Sequence, residues 1–175
     1  MTFVRPPTRA DLLVLAEIEV AGDRQFADWF GHDPGWDPPP SGEHRAAEPG
    51  FLLVAAEKAG GPAVGFVHVL ELEGWAHLEQ VSVRPERQRR GHGRTLVEAA
   101  KAGAAERGHE RISLMTYADV PWNAPFYATC GFVEAEPAAP LHRRLVEVER
   151  ALGLDRHGRR VLMVARLTAD RVTNE

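Results

Sequence analysis

Val81-Ser82-Val83-Arg84-Pro85-Glu86-Arg87-Gln88-Arg89-Arg90-Gly91-His92-Gly93-Arg94-Thr95 is the stretch on which the reading of this chain turns. It begins with β-branched alternation at Val81 and Val83, crosses a basic, glycine-bearing segment over 85–92, and runs into helix formers from Gly93. Residues 93–107 carry an apolar stripe at Leu96, Val97, Ala100 and Ala104, and Gly108 follows as a natural stop. Residues 110–117 (ERISLMTY) return to a strand pattern. Strand, helix, strand predicts a crossover and therefore a parallel pair.

Upstream, residues 51–57, 63–72 and 76–84 read as three strands joined by the turns Lys58–Pro62 and Glu73-Gly74, which suggests an antiparallel meander. Thr8 looks like an N-cap for a helix over 9–21, with Asp11 in its first turn. A short helix is expected around 23–30. The rest of 22–50, with Pro34, Pro38, Pro39 and Pro40, reads as a long irregular loop. Downstream, a short helix over 122–130, a strand opening at Gly131-Phe132-Val133, a helix over 141–153 and a final strand over 160–168 complete the pattern, with a frayed tail at 169–175. The sum is an α/β fold: a mixed, mostly antiparallel sheet of six or seven strands with helices on both faces. With 175 residues, one domain over 1–175 is expected. Within it, 9–50 forms a helical and loop region, 51–136 the core, and 137–175 a closing helix and strand.

Composition narrows the classes. The net charge of −4 gives no global attraction for nucleic acid or anionic membrane. A lone cysteine, Cys130, excludes an internal disulfide framework and a zinc site built on paired cysteines. No apolar run is long enough to span a bilayer, and the first 15 residues do not read as a secretory leader, so a cytoplasmic location is expected. The charge is unevenly spread. Residues 17–48 hold eight acids and two bases, whereas 84–94 hold five arginines and one acid.

The basic turn has its own physics. The first turn of a helix exposes unpaired N–H groups at a positive dipole end, which binds anions. Gly91 and Gly93 remove side chains where a phosphate must approach the backbone, and Arg87, Arg89, Arg90 and Arg94 add charge. A phosphorylated ligand is expected here. There is no Gly-Lys-Ser/Thr for a Walker loop. A dinucleotide fingerprint would need a small residue where Leu96 stands and an acid where Met115-Thr116 stand.

Gln88-x-x-Gly91-x-Gly93, placed after a Val-x-Val-x-Pro strand, resembles the acyl-CoA-binding motif of the GNAT superfamily of N-acetyltransferases. Asn123-Ala124-Pro125-Phe126-Tyr127-Ala128-Thr129-Cys130-Gly131-Phe132 is similar to the family's later motif, an aromatic-Tyr pair followed by Gly-Phe. The resemblance covers roughly 76–134. It implies acetyl-CoA as cosubstrate, no metal, and a central parallel strand pair that splays to admit the pantetheine arm. The strand Val81, Ser82 and Val83 would pair with that arm. Gln88 and the segment Arg89, Arg90, Gly91, His92, Gly93, Arg94 and Thr95 would hold the pyrophosphate. Asn123, Phe126 and Tyr127 would complete the cofactor contacts, with Tyr127 protonating the departing thiolate and a strand N–H, that of Val81, meeting the oxyanion.

For the base, many family members carry Glu eleven residues before the motif's Gln. That place holds His77 here, while Glu79 lies nine before. Under strict alternation both share one face, and a bulge would change which of them meets the cleft. Glu79 is the first candidate and His77 the second. Where the family often has Asn, seven residues before the Tyr, this chain has Val120, so Asn123 could cap its helix instead.

The implied function is acetyl transfer to a primary amine of a small molecule or peptide by direct attack in a ternary complex. The alternative is a catalytically silent acyl-CoA-binding module. The acids of 17–48 favour a cationic acceptor, although such runs are usually solvated. Trp29, Phe30 and Trp36 read as core or lid packing, with substrate contact as the alternative. His32, Asp33, Asp37 and His44 fit no metal spacing. Residues 141–154 could pair two subunits into a homodimer or pack on their own sheet.

Overall fold

The computed structural model describes residues 1–168; the tail expected at 169–175 lies outside the described residues. The described chain forms strands β1 (Phe3–Arg5), β2 (Gly50–Ala56), β3 (Gly65–Leu72), β4 (Trp75–Val83), β5 (Arg111–Tyr117), β6 (Val133–Ala135) and β7 (Arg160–Arg166). Its helices are α1 (Arg9–Leu12), α2 (Leu15–Phe30), α3 (Gly42–Ala47), α4 (His92–Glu106), α5 (Ala124–Ala128) and α6 (Pro140–Ala151), with 3₁₀ turns at Pro85–Arg87 and Leu154–His157. The seven strands make one sheet in the order β1-β2-β3-β4-β5-β7-β6. Only β4 and β5 run parallel. The α/β architecture, the strand count and the single parallel pair are those expected from the sequence. No described helix is long and apolar enough to cross a membrane.

Alternation along the strands divides the core between the two faces. On one face, Val67, Val69, Ala76 and Leu78 meet the α4 stripe of Leu96, Val97, Ala100 and Ala104, which is fully buried. On the other, Leu52, Val54 and Phe66 pack under Leu15 and Ile18 of α2. A bulge in β4 alters this pattern. His68 of β3 pairs with Gln80 and Val69 with Leu78, so Glu79 has no partner. The extra residue shifts the parity of the strand. Ala76 and Leu78 face α4 before it, and Val81 and Val83 face α4 after it.

The start of the chain differs from expectation in three places. The helix read over 9–21 breaks at Leu13-Val14, and its second part continues unbroken to Phe30. Thr8 does cap the first part: Asp11 N–H donates to its hydroxyl and Asp11's carboxylate accepts from Thr8 N–H. Gly22 sits mid-helix against the Val83 carbonyl, where tertiary packing outweighs its low propensity. The proline-rich loop also contains α3, capped by the Ser41 hydroxyl. A Cβ on Gly42 would stand 2.1 Å from the Leu12 carbonyl oxygen, so this close packing of α1 and α3 requires glycine. β1 was too short to read beside Pro6-Pro7.

Candidate active site

The parallel pair defines the site. β4 and β5 are matched only at Ala76–Ile112 and His77–Ser113. Beyond these pairs the strands diverge, and Leu78–Val83 and Leu114–Tyr117 become the two walls of a cavity of about 750 Å³. Arg84 N–H donates to Val64 O on the β3 side. By the two-residue alternation of backbone groups, the N–H groups of Val81 and Val83 therefore point into the fork. The Val83 carbonyl also faces the fork, where it accepts a hydrogen bond from the Gln88 side-chain amide at 3.0 Å. Ser82 is buried and its hydroxyl accepts from Gln80 at 2.9 Å.

The basic turn closes the wide end of this fork. Two residues adopt left-handed backbone there, Arg89 (φ +59°) and Gly91 (φ +86°). For arginine that conformation costs on the order of 1–3 kcal/mol, the kind of strain that persists at binding sites. The N–H groups of His92, Gly93 and Arg94 open α4, and the backbone bonding of the turn resumes with Thr95 N–H to Gly91 O at 3.0 Å. The result is a row of main-chain donors at a helix N-terminus, facing the same cavity as Val81 and Val83.

The five arginines have separate tasks. Arg84 pairs with Glu17, and Arg87 and Arg90 both pair with Glu57. Arg94 donates to the carbonyl and hydroxyl of Thr129, tying α4 to the end of α5, and lies over the Phe126 ring. Arg89 lines the cavity and makes no ion pair among the described residues. The side chain of His92 turns away from the cavity to Thr2 and Glu57, and that of Thr95 bonds back to Gly91 O. What these two residues offer the cavity is main chain.

Asn123, Phe126 and Tyr127 reach the cavity from α5. Asn123 makes no side-chain cap; its Oδ1 accepts the Tyr117 N–H at 3.3 Å. Ala118 N–H points to β7 by bonding Arg159 O, so Tyr117 N–H points into the fork, and Asn123 takes a donor that the departed β4 leaves free. Tyr127 packs on Phe126 and Phe132, and burial raises its phenol above the ordinary value, so it is held protonated.

Glu79 and His77 lie on the same side of β4, but only Glu79 reaches the cavity. Glu79 lines the cavity with its side chain 42% exposed. Its carboxyl titrates above the ordinary range because of burial, with Glu48, Glu19 and Glu149 adding to the effect and Arg45 opposing it. His77 is not part of the cavity wall. It is buried beside Glu79, with Nδ1 2.9 Å from Ser113 Oγ, which in turn is 3.0 Å from His142 Nε2. Burial and His142 hold His77 neutral, with its pKa pushed down to about 4. Its Nε2 stands 3.8 Å from Glu79 Oε2.

The opposite side of the cavity was not legible as a site. Glu19, Asp23 and Phe26 project from one face of α2 at the i, i+4, i+7 spacing and line the cavity with Trp36, Pro38–Pro40, Arg45 and Trp122. Glu19 is committed to the buried Arg45 at 2.6 Å, and Arg45 also bonds His68. Burial, with Glu19 nearby, pushes the Asp23 carboxyl up to about 7 against the pull of Arg45. The acidic run points to a cationic acceptor without saying which acids face a site; the helical spacing of these acids was the available signal for that. Trp36 lines the cavity, while Trp29 is half exposed against Trp122. Among the described residues no group of three or more His, Cys, Asp or Glu is placed to hold a metal ion.

A forked parallel pair ending in a glycine turn and a helix N-terminus agrees with what sequence comparison finds. The profile of the acetyltransferase (GNAT) family matches residues 21–132. The chain belongs to the GNAT acetyltransferase family. It is thus an acyltransferase by family, and its fold recurs in solved structures of low identity. The ribosomal-protein-S18-alanine N-acetyltransferase from Escherichia coli superposes with a TM-score of 0.66 at 18% identity, covering 100% of this chain and 99% of that one. A GNAT acetyltransferase from Staphylococcus aureus Mu50 gives 0.71 at 16%, covering 96% and 100%. The PaiA N-acetyltransferase from Thermoplasma acidophilum, solved with coenzyme A, gives 0.63 at 16%, covering 95% and 99%.

Proposed function

We propose that this GNAT protein transfers the acetyl group of acetyl-CoA to a cationic primary amine by direct attack in a ternary complex. The observation that carries the reading is the continuity of main-chain donors. Val81 and Val83 N–H face the fork, and the first-turn amides of α4 face the same cavity, so one extended thioester ending in a diphosphate can meet both. Gln88 fixes the turn to the end of β4 rather than touching the phosphates, and Arg89 supplies the free charge.

The chemistry follows from the walls. Glu79 takes a proton from the ammonium, for which its raised pKa makes it a better base than an ordinary carboxylate. The amine nitrogen attacks the thioester carbonyl. The oxygen gains negative charge and is met by Val81 N–H. As the C–S bond breaks, the thiolate takes the proton of Tyr127, which burial keeps protonated until then; the raised pKa makes the phenol a weaker acid, so the transfer is coupled to C–S cleavage rather than made to a free thiolate. The nitrogen of the adduct loses its second proton to water as the amide forms, water returns a proton to the tyrosinate, and Glu79 releases its own to solvent, so one proton leaves per turnover. No step requires a covalent acyl-enzyme. Cys130 is buried, and burial raises its thiol pKa, which disfavours the thiolate a nucleophile needs.

A thiol-release assay with acetyl-CoA across an amine library tests this reading. Release that depends on a cationic amine supports it. Binding of CoA without release for any amine returns the chain to the silent-module reading. A preference for acidic amino acids over polyamines and other cationic amines contradicts the charge argument.

A further inference from the structure

Four aromatic side chains converge on the acceptor side of the cavity. Phe26 of α2 lies at their centre, 5.2 Å from Trp36 and 5.3 Å from Trp122 between ring centroids, both edge-on, and 6.0 Å from Tyr117. Trp36 is also stacked parallel to Tyr117 at 6.5 Å. All four line the cavity. The indole nitrogens of Trp36 and Trp122 are buried, and neither has a hydrogen-bond partner among the described residues. Unmet buried donors are costly, and the neighbouring ring faces are the partners within reach of such a donor.

The unpaired charges beside these rings are acidic. Asp23 sits one turn before Phe26 on α2 and makes no ion pair among the described residues, while Glu19 is occupied by Arg45. Asp37, next to Trp36, lines the same wall. Arg160 also reaches this side, but its guanidinium is neutralised by Glu149 and stacked over Tyr117. Aromatic faces beside unpaired carboxylates bind organic cations through ring quadrupole and charge together.

We infer that Phe26, Trp36, Trp122 and Asp23 select an acceptor amine carried on an aromatic body, in preference to a linear polyamine or an amino acid. This rests on the acetyl-transfer reading for what then happens to the amine, but the selection itself is a binding property. An extended polycation would leave the ring faces without a partner. An amino acid would bring its carboxylate against Asp23 and Asp37.

Calorimetry on the full chain saturated with CoA tests the inference with 2-phenylethylamine, n-hexylamine, spermidine and phenylacetate. The expected result is about tenfold tighter binding of 2-phenylethylamine than of n-hexylamine, the scale of a ring–ring or cation–ring contact. Phenylacetate, with the same ring and opposite charge, should give no saturable heat. Asp23→Asn should weaken 2-phenylethylamine about tenfold, and Trp36→Leu should abolish its advantage over n-hexylamine. CoA affinity should be unchanged in both variants. Equal or tighter binding of n-hexylamine or spermidine overturns the inference, as does binding of phenylacetate. If the selectivity is found but no amine is acetylated, the transfer reading fails and the cage stands. If amines are acetylated without this selectivity, the reverse holds.

Discussion

The two halves of the cavity are built from different materials. The half proposed to hold the cofactor is main chain: strand amides at Val81 and Val83, then helix amides after a strained turn at Arg89 and Gly91. The acceptor half is side chain: rings and carboxylates from α2, the loop before α3 and the segment leading into α5. Main-chain donors are present whatever the residue, so a half made of them tolerates variation everywhere except where a side chain would block access or a positive φ is needed. A half made of side chains changes its ligand with each substitution. Substitutions in one half should therefore leave the other half's ligand untouched.

The largest effect is expected at Gly93. Its backbone φ is not in the left-handed region, and a Cβ there would meet only Phe126 at 3.9 Å. Gly93→Glu puts a carboxylate in the first turn of α4, where it suits the helix dipole and opposes a diphosphate. Affinity for CoA should fall at least about 10³-fold with thermal stability kept, because like-charge juxtaposition costs several kcal/mol. Gly91→Glu is a poorer probe, since φ +86° adds backbone strain of its own.

Tyr127→Phe comes next. It removes the proton for the thiolate and little else, because no partner of that hydroxyl is needed to hold α5. Turnover should fall about 10²-fold with CoA affinity unchanged, measured by initial rates and calorimetry. Loss of CoA binding in this variant would mean that the phenol holds the cofactor.

The division between the halves also explains how much could be read from the sequence. Gln88, Gly91 and Gly93 announced the turn because glycine is the signature of close backbone approach. The α4 stripe announced the crossover because its period is that of a helix. The acceptor wall left no such trace. Glu19, Asp23 and Phe26 share a face only because α2 runs unbroken from Leu15 to Phe30, where the sequence reads as two helices, 9–21 and 23–30. Trp36 and Trp122 are 86 positions apart in number and meet through Phe26, which is a property of tertiary packing alone. That Glu79 and not His77 lines the cavity depends on the burial of His77 against Ser113, itself bonded to His142, which are long-range contacts that no local pattern marks.

Buried histidines should make the fold acid-sensitive while leaving the turn unaffected. His68 and His77 each have their pKa pushed down to about 4 from 6.5 by burial. Unfolding lets them take up protons, so stability should be lost as pH falls from 6.5 towards 4, by about 2 kcal/mol at each buried site. Denaturant melts across that window check this, and His77→Gln should flatten the slope.

The smallest effect is at Asp23, whose carboxyl titrates at about 7 in the fold against 3.8 ordinarily. Between those values the folded state holds the extra proton, so stability declines as pH rises through the window. Asp23→Asn removes this cost. After allowance for partial exposure, it should stabilise the protein by about 1 kcal/mol above pH 7, or roughly 3 °C in Tm, and by nothing near pH 4. A variant that is both more stable and weaker for amines marks a residue kept for function. If Tm does not change, Asp23 is not desolvated in the folded protein.

The central claim is that backbone amides between Arg89 and Thr95 hold the diphosphate of coenzyme A. Calorimetry with CoA and with pantetheine, which lacks the diphosphate, on the wild-type chain and on Gly93→Glu tests it most directly. The account predicts tight CoA binding to the wild type only, and equal, weak pantetheine binding to both. Undiminished CoA binding to Gly93→Glu, or no heat with CoA on folded wild type, would contradict it.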